Sequence, residues 1–447
     1  MTLIKPQLTR AYTEATRCEG SLIYDGDGNE WIDGSSGAIA CSVGHAHPAI
    51  VKAMSDACEA SSFVYRTQFT NPEAERLSKR LCEKLGYAAS FFVNSGSEAV
   101  ETAMRSAQQY WRESGRATKT RILSRRLSYH GSTIGSLSLS GHWPRRRLAG
   151  PLYGEPTQPT PYPYRANTNE TLATYGTACA NELERELQQL GADNVAAFIL
   201  EPIVGASGAA IVPPPEYVKR IRDICDRHDL LLIADEVLTG LGRTGRWLAM
   251  DHFDVKADLV CLGKGLNAGY FPISAVLYSE VVYERILNGS GSFELGHTHS
   301  NHPIGAAVGN AVLDVLEDEK LVDRAEWYGA GLKSKLKEMC RKHTIAGDIR
   351  GEGMLVGIEL TDPTNWNNPF PTKFNIAATA TKIAFENGLL IYPSAGFAGL
   401  LGGDAIIIAP PLNISEKETS MLIDKLDQTL THLNEAIFKQ RRKSHAA

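Results

Sequence analysis

The pattern of apolar and polar residues along the chain predicts a mixed α/β fold. Apolar runs of strand length occur near residues 91, 121, 195, 230, 259 and 273. Between most of these runs, apolar residues recur every three or four positions, which is the spacing of amphipathic helices. Strands that alternate with helices are typical of a mainly parallel sheet covered on both faces. The pattern therefore predicts a large α/β domain built on such a sheet.

The two ends of the chain show a different pattern. Residues Tyr24–Gly34 contain two short strand-like runs around an Asp-Gly turn, which predicts a β-hairpin. Mixed strand and helix patterns follow a long helix near residues 303–319, and the last of them is a helix over Glu416–Phe438. We expect an N-terminal segment (1–55) that packs with a small α+β domain (321–447), with the large domain (56–320) between them.

Composition excludes several classes of protein. The 447 residues are 43% hydrophobic, enough for two packed domains, and the net charge of -5 offers no basic face for nucleic acid. The eight cysteines contain no Cys-x-x-Cys pair, and the acidic turn at residues 25–29 lacks the EF-hand spacing, so no metal is expected. No apolar run has signal-peptide or membrane-helix length. We therefore expect a cytoplasmic protein that binds neither nucleic acid nor membranes.

Two strand-like runs end in residues that carry chemistry. The run over residues 229–236 places Asp235 at a strand end, and the run over residues 258–265 places Lys264 between two glycines. A carboxylate in poor solvent needs a cationic partner, and flanking glycines let a bulky group approach the lysine amine. Pyridoxal phosphate chemistry uses such a pair, with a Schiff-base lysine and an aspartate that faces a protonated pyridine nitrogen. A buried structural ion pair fits the same spacing.

Other predicted strand ends add candidates at the same edge of the sheet. Residues 94–98 read Asn-Ser-Gly-Ser-Glu and lie directly before a strong helix, where free N–H groups and hydroxyls suit a phosphate monoester. Ser95 and Glu98 also have the spacing of a capping box, so a capped helix without a ligand is the alternative. Ligands of parallel sheets bind beyond the carboxyl ends of the strands. The residues that converge there are Ser97, Tyr129, Glu201, Asp235 and Lys264.

The order of these motifs along the chain matches a known family. The matching segments are Asn94–Glu98, Tyr129–Gly131, Glu201–Ile203, Asp235–Val237, Gly240–Gly245, Gly263–Gly265, His297–Thr298 and Pro410–Leu412. Together they resemble the class III (ω-amino acid) aminotransferases, which are pyridoxal phosphate enzymes of fold type I. The match extends from about Gly20 to the C-terminal helix.

The resemblance implies roles around the cofactor ring. Lys264 matches the lysine that forms the Schiff base and moves the proton, and Asp235 matches the carboxylate that keeps the pyridine nitrogen protonated. Tyr129 and Val237 resemble the residues on the two faces of the ring. Glu201 resembles a family glutamate near the cofactor, so we count it with Lys264 and Asp235 as a catalytic candidate.

The resemblance also implies how the phosphate is held. Gly96 and Ser97 would bind it through N–H and hydroxyl donors, and Ser95 and His130 complete the expected cofactor-binding set. Thr298 resembles a threonine that reaches the phosphate of the neighbouring subunit. A homodimer with shared active sites is therefore expected.

The chain departs from the family where some members bind the substrate carboxylate. Ile407 stands where ornithine- and aminobutyrate-type members have an arginine, and no arginine occurs between Arg350 and Arg441. This argues against 2-oxoglutarate and favours pyruvate or another small 2-oxo acid as the acceptor. Tyr65 and Ala40 are expected in the pocket wall from their positions alone. The candidates for an alternative carboxylate clamp are Arg145, Arg146 and Arg147.

The expected activity is transfer of an amino group from an ω-amino acid or amine to a small 2-oxo acid. A decarboxylase, a racemase or an aminomutase on the same scaffold would retain the same cofactor residues. A non-catalytic α/β binding protein is the alternative from a different class. Such a protein would have little reason to keep both Asp235 and Lys264.

Overall fold

A computed structural model describes residues 3–166, 169–365, 368–399 and 402–446. The strands, in chain order, are β1 Ala15–Glu19, β2 Leu22–Asp25, β3 Glu30–Asp33, β4 Ala89–Val93, β5 Arg121–Leu123, β6 Val195–Leu200, β7 Leu231–Asp235, β8 Leu259–Leu262, β9 Ser274–Tyr278, β10 Ala346–Glu352, β11 Leu355–Asp362, β12 Asn368–Pro369, β13 Leu389–Leu390, β14 Tyr392–Ala395 and β15 Asp404–Ile408. The α-helices are α1 Ser36–Ile39, α2 Pro48–Ala60, α3 Pro72–Leu85, α4 Gly96–Glu113, α5 Ile134–Leu139, α6 Trp143–Arg146, α7 Leu172–Leu190, α8 Pro215–Arg227, α9 Glu280–Asn288, α10 Pro303–Asp318, α11 Leu321–Cys340, α12 Ile376–Glu386 and α13 Glu416–Ala446. Within the described ranges, no helix has the length and apolar content that a membrane span requires.

The central sheet has six strands in the order β4-β9-β8-β7-β6-β5. Strands β5 to β8 run parallel to one another, whereas β9 is antiparallel to both β8 and β4. Every residue of β6 to β9 is buried because helices cover both faces of the sheet. All six strands lie where the apolar runs predict them. The prediction of a mainly parallel α/β sheet is confirmed.

Helix α4 shows how the apolar stripe of a helix fixes its place on this sheet. Val100, Ala103 and Trp111 lie on one side of α4 and share a core cluster with Ile199 and Ile233 of the sheet. The Trp111 indole N–H donates a hydrogen bond of 2.8 Å to the carbonyl of residue 196. Because its apolar stripe faces the sheet, α4 is fixed with its first residue just beyond the end of β4.

Helix α7 is longer than the sequence pattern predicts. The apolar spacing indicates a helix only from Asn181 onward, but α7 begins at Leu172. Its first half contains Gly176 and other small residues that interrupt the apolar stripe. A Cβ on Gly176 would lie 2.9 Å from the Cβ of Pro214, so the glycine lets the chain before α8 pack closely against α7. Tertiary packing therefore supports helix where the local pattern does not indicate it.

The remaining strands form two smaller sheets. One is antiparallel, with the order β10-β11-β15-β14 and with β12 paired to β11. The other contains the predicted hairpin as β2 and β3, with β1 on one side and β13 on the other. Strand β13 pairs with β3 in parallel, so the two ends of the chain share a sheet. The division of the chain at residues 55 and 320 stays a prediction.

Candidate active site

A cavity of about 280 Å³ lies at the carboxyl edge of the central sheet. Several strands deliver polar residues to it: β6 ends just before Glu201, β7 ends at Asp235, and β8 ends two residues before Lys264. Ten residues predicted from the sequence line this cavity. They are Ala40, Ser95, Gly96, Ser97, Tyr129, His130, Glu201, Asp235, Val237 and Lys264.

Lys264, which follows β8, has an unusual backbone conformation and an amine with a lowered pKa. Lys264 has a φ of +35°, a value that costs a non-glycine residue free energy and that is often found at functional sites. Burial lowers the pKa of its amine to about 8. The negative charges of Asp235 and Glu201 oppose this shift, and the positive charges of Arg145 and Arg243 contribute to it. About a tenth of the amine is therefore neutral and nucleophilic at pH 7, far more than for a lysine with its ordinary pKa of 10.5.

Asp235 is held rigidly at the end of β7. Its side chain is 5% exposed, and its Oδ2 lies 2.7 Å from Nδ1 of His130. Its Oδ1 accepts a hydrogen bond of 3.1 Å from the backbone N–H of Val237. The Ser140 hydroxyl in turn accepts a hydrogen bond from the backbone N–H of His130. The carboxylate is thus fixed in orientation at the wall of the cavity.

Glu201 is a second buried carboxylate at the same edge, and burial raises its pKa. Its Oε1 accepts a hydrogen bond of 3.0 Å from the backbone N–H of Tyr129, and its Oε2 accepts one of 2.9 Å from Gly205. These contacts fix the backbone of Tyr129 beside the cavity. They favour a positioning role for Glu201, and its catalytic role stays a prediction.

The start of α4 forms the polar end of the cavity. Ser95 is the N-cap of α4, and its hydroxyl accepts a hydrogen bond of 3.2 Å from the N–H of Glu98. The Glu98 carboxylate reaches back to Asn94 and not to Ser95 itself. The N–H groups of Gly96 and Ser97 belong to the first turn, where no intrahelical acceptor exists. Two donors and the positive end of a helix dipole are therefore available to an anion.

Close packing around this anion site requires glycine at two positions. A Cβ on Gly96 would lie 2.8 Å from Cγ1 of Val237, so a glycine is needed for α4 to approach the β7 loop. Gly131 has a φ of +139°, and a Cβ there would lie 2.5 Å from the Ser97 hydroxyl. The Ser97 hydroxyl accepts a hydrogen bond from the N–H of Ser132 and keeps its own proton for another acceptor.

Five predicted site residues do not line the cavity. Thr298 is exposed, and the side chain of Tyr65 is 53% exposed. Arg147 is exposed, and Arg145 is not a lining residue but stacks on the ring of Tyr129, which does line the cavity. The expectation that Arg146 could bind a substrate carboxylate is corrected by its contacts. Its guanidinium donates to the carbonyls of Leu137, Ser138, Ser140 and Gly154 and pairs with Glu155. Arg146 therefore fastens the surrounding loops together.

Six further residues complete the lining of the cavity. Ser274 is informative because it begins β9, which is antiparallel to its neighbours. The amino end of an antiparallel strand lies at the same edge as the carboxyl ends of parallel strands, and the sequence argument considered only carboxyl ends. Asn267 follows the lysine turn and donates a hydrogen bond to the carbonyl of residue 273. The full set is Asn94, Gly131, Ala206, Leu238, Asn267 and Ser274.

Comparison with known proteins identifies the family. The family model for class III aminotransferases matches residues 4–430. The chain belongs to this family. It is a pyridoxal phosphate-dependent transaminase, and its architecture is fold type I. The sequence-based prediction of the family, the fold, the enzyme class and the cofactor is confirmed.

Individual relatives extend over nearly the whole chain. The aminotransferase YodT of Bacillus subtilis is 42% identical over 98% of this chain and 99% of its own. A putrescine–pyruvate aminotransferase of Pseudomonas aeruginosa is 33% identical over 93% of this chain and 90% of its own. An amine transaminase from an uncultivated Pseudomonas species, solved in its PLP-bound form, superimposes with a TM-score of 0.90 at 31% identity. That superposition covers 97% of this chain and 99% of the other.

The residues of the cavity fit the cofactor of the family. The anionic end of pyridoxal phosphate needs donors, and the first turn of α4 provides them. A pyridine nitrogen needs a carboxylate, and Asp235 is fixed at the wall. The buried Nε2 of His130 has no hydrogen-bond partner within the described residues, so this side of the cavity retains capacity for a polar group. Each chemical part of the cofactor therefore has a matching group in this chain.

Proposed function

We propose that this transaminase transfers the amino group of a primary amine or ω-amino acid to a small 2-oxo acid such as pyruvate. The observation that carries the proposal is Lys264, whose amine has a pKa lowered to about 8 and lies in a cavity bounded by the carboxylates Asp235 and Glu201. A neutral amine can both attack a carbonyl and accept a proton from carbon. One relative named above is a putrescine–pyruvate aminotransferase, which supports this choice of donor and acceptor.

Bound pyridoxal phosphate would supply a carbonyl group that condenses with amines and an electron-poor ring that takes up the electron pair of the substrate carbon. Lys264 would hold the cofactor and then carry the proton at its Nζ. Asp235 would keep a negative charge opposite the ring nitrogen, and His130 would orient that carboxylate. Gly96 and Ser97 would bind the phosphate, and Tyr129 and Val237 would enclose the ring.

A small acceptor is favoured by the apolar character of β15. Ile407 is fully buried and pairs with Gly357 on one side and with Tyr392 on the other. The side chain at this position therefore offers no cation to the distal carboxylate of 2-oxoglutarate. Pyruvate has a single carboxylate and needs a single cation. The chain is accordingly better suited to a monocarboxylate acceptor.

A second copy of the chain would complete the site. Phe63, Tyr65 and Phe69 are 44%, 53% and 64% exposed, which is unusual for aromatic side chains. The ring of Phe63 lies 5.9 Å from that of His299, beside the exposed Thr298. The predicted pocket residue Tyr65 and the predicted phosphate residue Thr298 thus share one surface. A homodimer that covers this surface would bring both residues to the partner's cavity.

Half-reaction assays test the proposed function. A panel of amines and ω-amino acids is added to the purified holoenzyme, and the absorbance of the bound cofactor is followed. A donor should bleach this absorbance, and pyruvate should restore it and yield alanine. Carbon dioxide release, racemisation or migration of the amino group within one molecule, without an oxo product, would instead indicate a decarboxylase, a racemase or an aminomutase.

A further inference from the structure

The side chain of Arg145 is held next to the cavity by two tyrosines. Its guanidinium carbon lies 3.7 Å from the centre of the Tyr129 ring, which places the cation on the face of that ring. One Nη donates a hydrogen bond of 3.1 Å to the hydroxyl of Tyr392 in β14. The short helix α6 that carries Arg145 is fastened to the same strand, because Nε2 of His142 lies 2.7 Å from the carbonyl oxygen of Ala395. The position of the Arg145 guanidinium is therefore fixed by these contacts.

Most hydrogen-bond donors of Arg145 remain unused. Stacking on an aromatic ring occupies the face of a guanidinium and leaves the N–H groups at its edge free. Within the described residues, no carboxylate lies within ion-pair distance of Arg145, and its one recorded acceptor is a neutral hydroxyl. Arg146, by contrast, is occupied by four backbone carbonyls and by the carboxylate of Glu155. Arg243 is occupied by Ser36 and by the carbonyls of residues 354 and 410.

The positive charge of Arg145 acts within the cavity. Burial is the main reason for the lowered pKa of Lys264, and the charge of Arg145 adds to this effect. Tyr129, which carries the stacked guanidinium, lines the cavity together with Lys264. An anion bound close to both Lys264 and Tyr129 would therefore have a cation with free donors nearby. The planar edge of a guanidinium matches the two oxygens of a carboxylate.

We propose that Arg145 binds the carboxylate of the 2-oxo acid acceptor and that Tyr129 and Tyr392 hold it in place for this purpose. This inference rests on the proposed transaminase function. It assigns to the 142–147 segment the carboxylate binding that we expect from the arginine of ornithine- and aminobutyrate-type members, at whose position this chain has Ile407. No arginine is among the described residues that line the cavity, so beyond Arg145 a second carboxylate would find no guanidinium to pair with. The site therefore selects monocarboxylates.

Direct binding to the holoenzyme tests this assignment without turnover. Propionate has the carboxylate of pyruvate but no reactive carbonyl, and its Kd can be measured by calorimetric titration. Arg145→Ala should raise this Kd at least tenfold. Tyr392→Phe removes the hydroxyl that fixes the guanidinium and should raise the Kd about two- to fivefold. Arg147→Ala removes an exposed arginine two residues away and should leave the Kd unchanged.

A second readout separates carboxylate binding from a structural role for Arg145. The half-reaction with a carboxylate-free amine should keep its wild-type rate within about twofold in Arg145→Ala, while the KM for pyruvate rises at least tenfold. An unchanged propionate Kd would overturn the inference. An equal loss in the amine half-reaction would also overturn it, because Arg145 would then act only through Tyr129. Should Arg145→Ala not fold, Arg145→Lys, which keeps the charge and loses the planar fork, carries the same test.

The inference and the proposed function fail in different ways. If no amine bleaches the wild-type cofactor, the proposed function is wrong, whereas the propionate titration still reports on Arg145. If amines react and pyruvate is accepted but Arg145→Ala binds propionate normally, the function stands and the inference is wrong. The two experiments therefore give separate answers.

Discussion

The strand-end wall of the cavity and the 142–147 segment beside it hold their polar groups differently. At the strand ends, Asp235 is fixed by His130 and a backbone N–H, and Glu201 is fixed by two backbone N–H groups. In the 142–147 segment, Arg145 has a ring face and one neutral hydroxyl as partners. Side chains whose hydrogen bonds are already made within the protein are held rigidly and can orient a cofactor. Donors without a protein partner are free to bind a substrate. We therefore expect the rigid sheet edge to support the chemistry that the family shares, and the 142–147 segment to determine which substrate is bound.

The largest effect should come from the carboxylate at the end of β7. Asp235→Asn removes the negative charge opposite the ring nitrogen, so kcat/KM should fall about 10²- to 10³-fold. Glu236→Gln is a matched control, because Glu236 is equally buried but is bound by Thr239 and the N–H of Met250, away from the cavity. Steady-state kinetics of both variants provide the check. If kcat/KM fell by a similar factor in both variants, the loss would come from removing a buried carboxylate and not from the position of Asp235 beside the cofactor.

The lowered pKa of Lys264 predicts how cofactor capture depends on pH. Covalent capture requires the neutral amine, so its rate should rise about tenfold per pH unit at acid pH and level off above the pKa of about 8. From pH 6 to the plateau the gain is about 100-fold. Stopped-flow mixing of apoenzyme with pyridoxal phosphate measures this profile. A rate that still climbs through pH 10 would show that the amine keeps its ordinary pKa of 10.5.

The glycine next to the phosphate site should tolerate no side chain. Gly131→Ala adds a Cβ at a φ of +139° and 2.5 Å from the Ser97 hydroxyl, so Ser97 must move. Strain of this kind costs about 1–3 kcal/mol, and the Kd for pyridoxal phosphate should rise about tenfold. Gly150→Ala is the control, because a Cβ there meets no atom within 4 Å. Fluorescence titration of the two apo-variants gives the comparison, and equal affinities would remove Gly131 from the site.

The smallest effect should come from Thr298, the residue that we propose to serve a neighbouring subunit. Thr298→Ala should weaken cofactor retention a few-fold in the homodimer. In a mixed dimer with a Lys264→Ala chain, the site with the intact lysine receives its threonine from that second chain and should retain the cofactor normally. Cofactor loss on gel filtration of the tagged, purified mixed dimer measures this. Retention as weak as in the Thr298→Ala parent would mean that the threonine serves its own chain.

Residues at strand ends could be predicted from the sequence because a parallel sheet brings them to one edge. Asp235 and Lys264 lie at the ends of apolar runs that fold as β7 and β8. These two strands are parallel neighbours, so the two residues lie at the same edge of the sheet. Ser274 was missed because β9 runs in the opposite direction. The start of α7 was missed because its stability comes from packing around Gly176.

The segment with three arginines shows what a sequence leaves open. Arg145, Arg146 and Arg147 are chemically identical, and their roles depend on the directions in which a four-residue helix and the residue directly after it point them. One stacks on Tyr129, one binds backbone carbonyls, and one faces solvent. Thr298 and Tyr65 would act in the proposed dimer through a second chain, and a contact between two chains leaves no periodic pattern within one of them.

The central claim is that Lys264 holds the cofactor covalently at the edge of the sheet. Borohydride reduction of the wild-type holoenzyme followed by peptide mass mapping tests this directly. The reduced cofactor should appear on the peptide that contains Lys264, and Lys264→Ala should bind pyridoxal phosphate without any reducible linkage. Label on another lysine, or a linkage that persists in Lys264→Ala, would contradict the account.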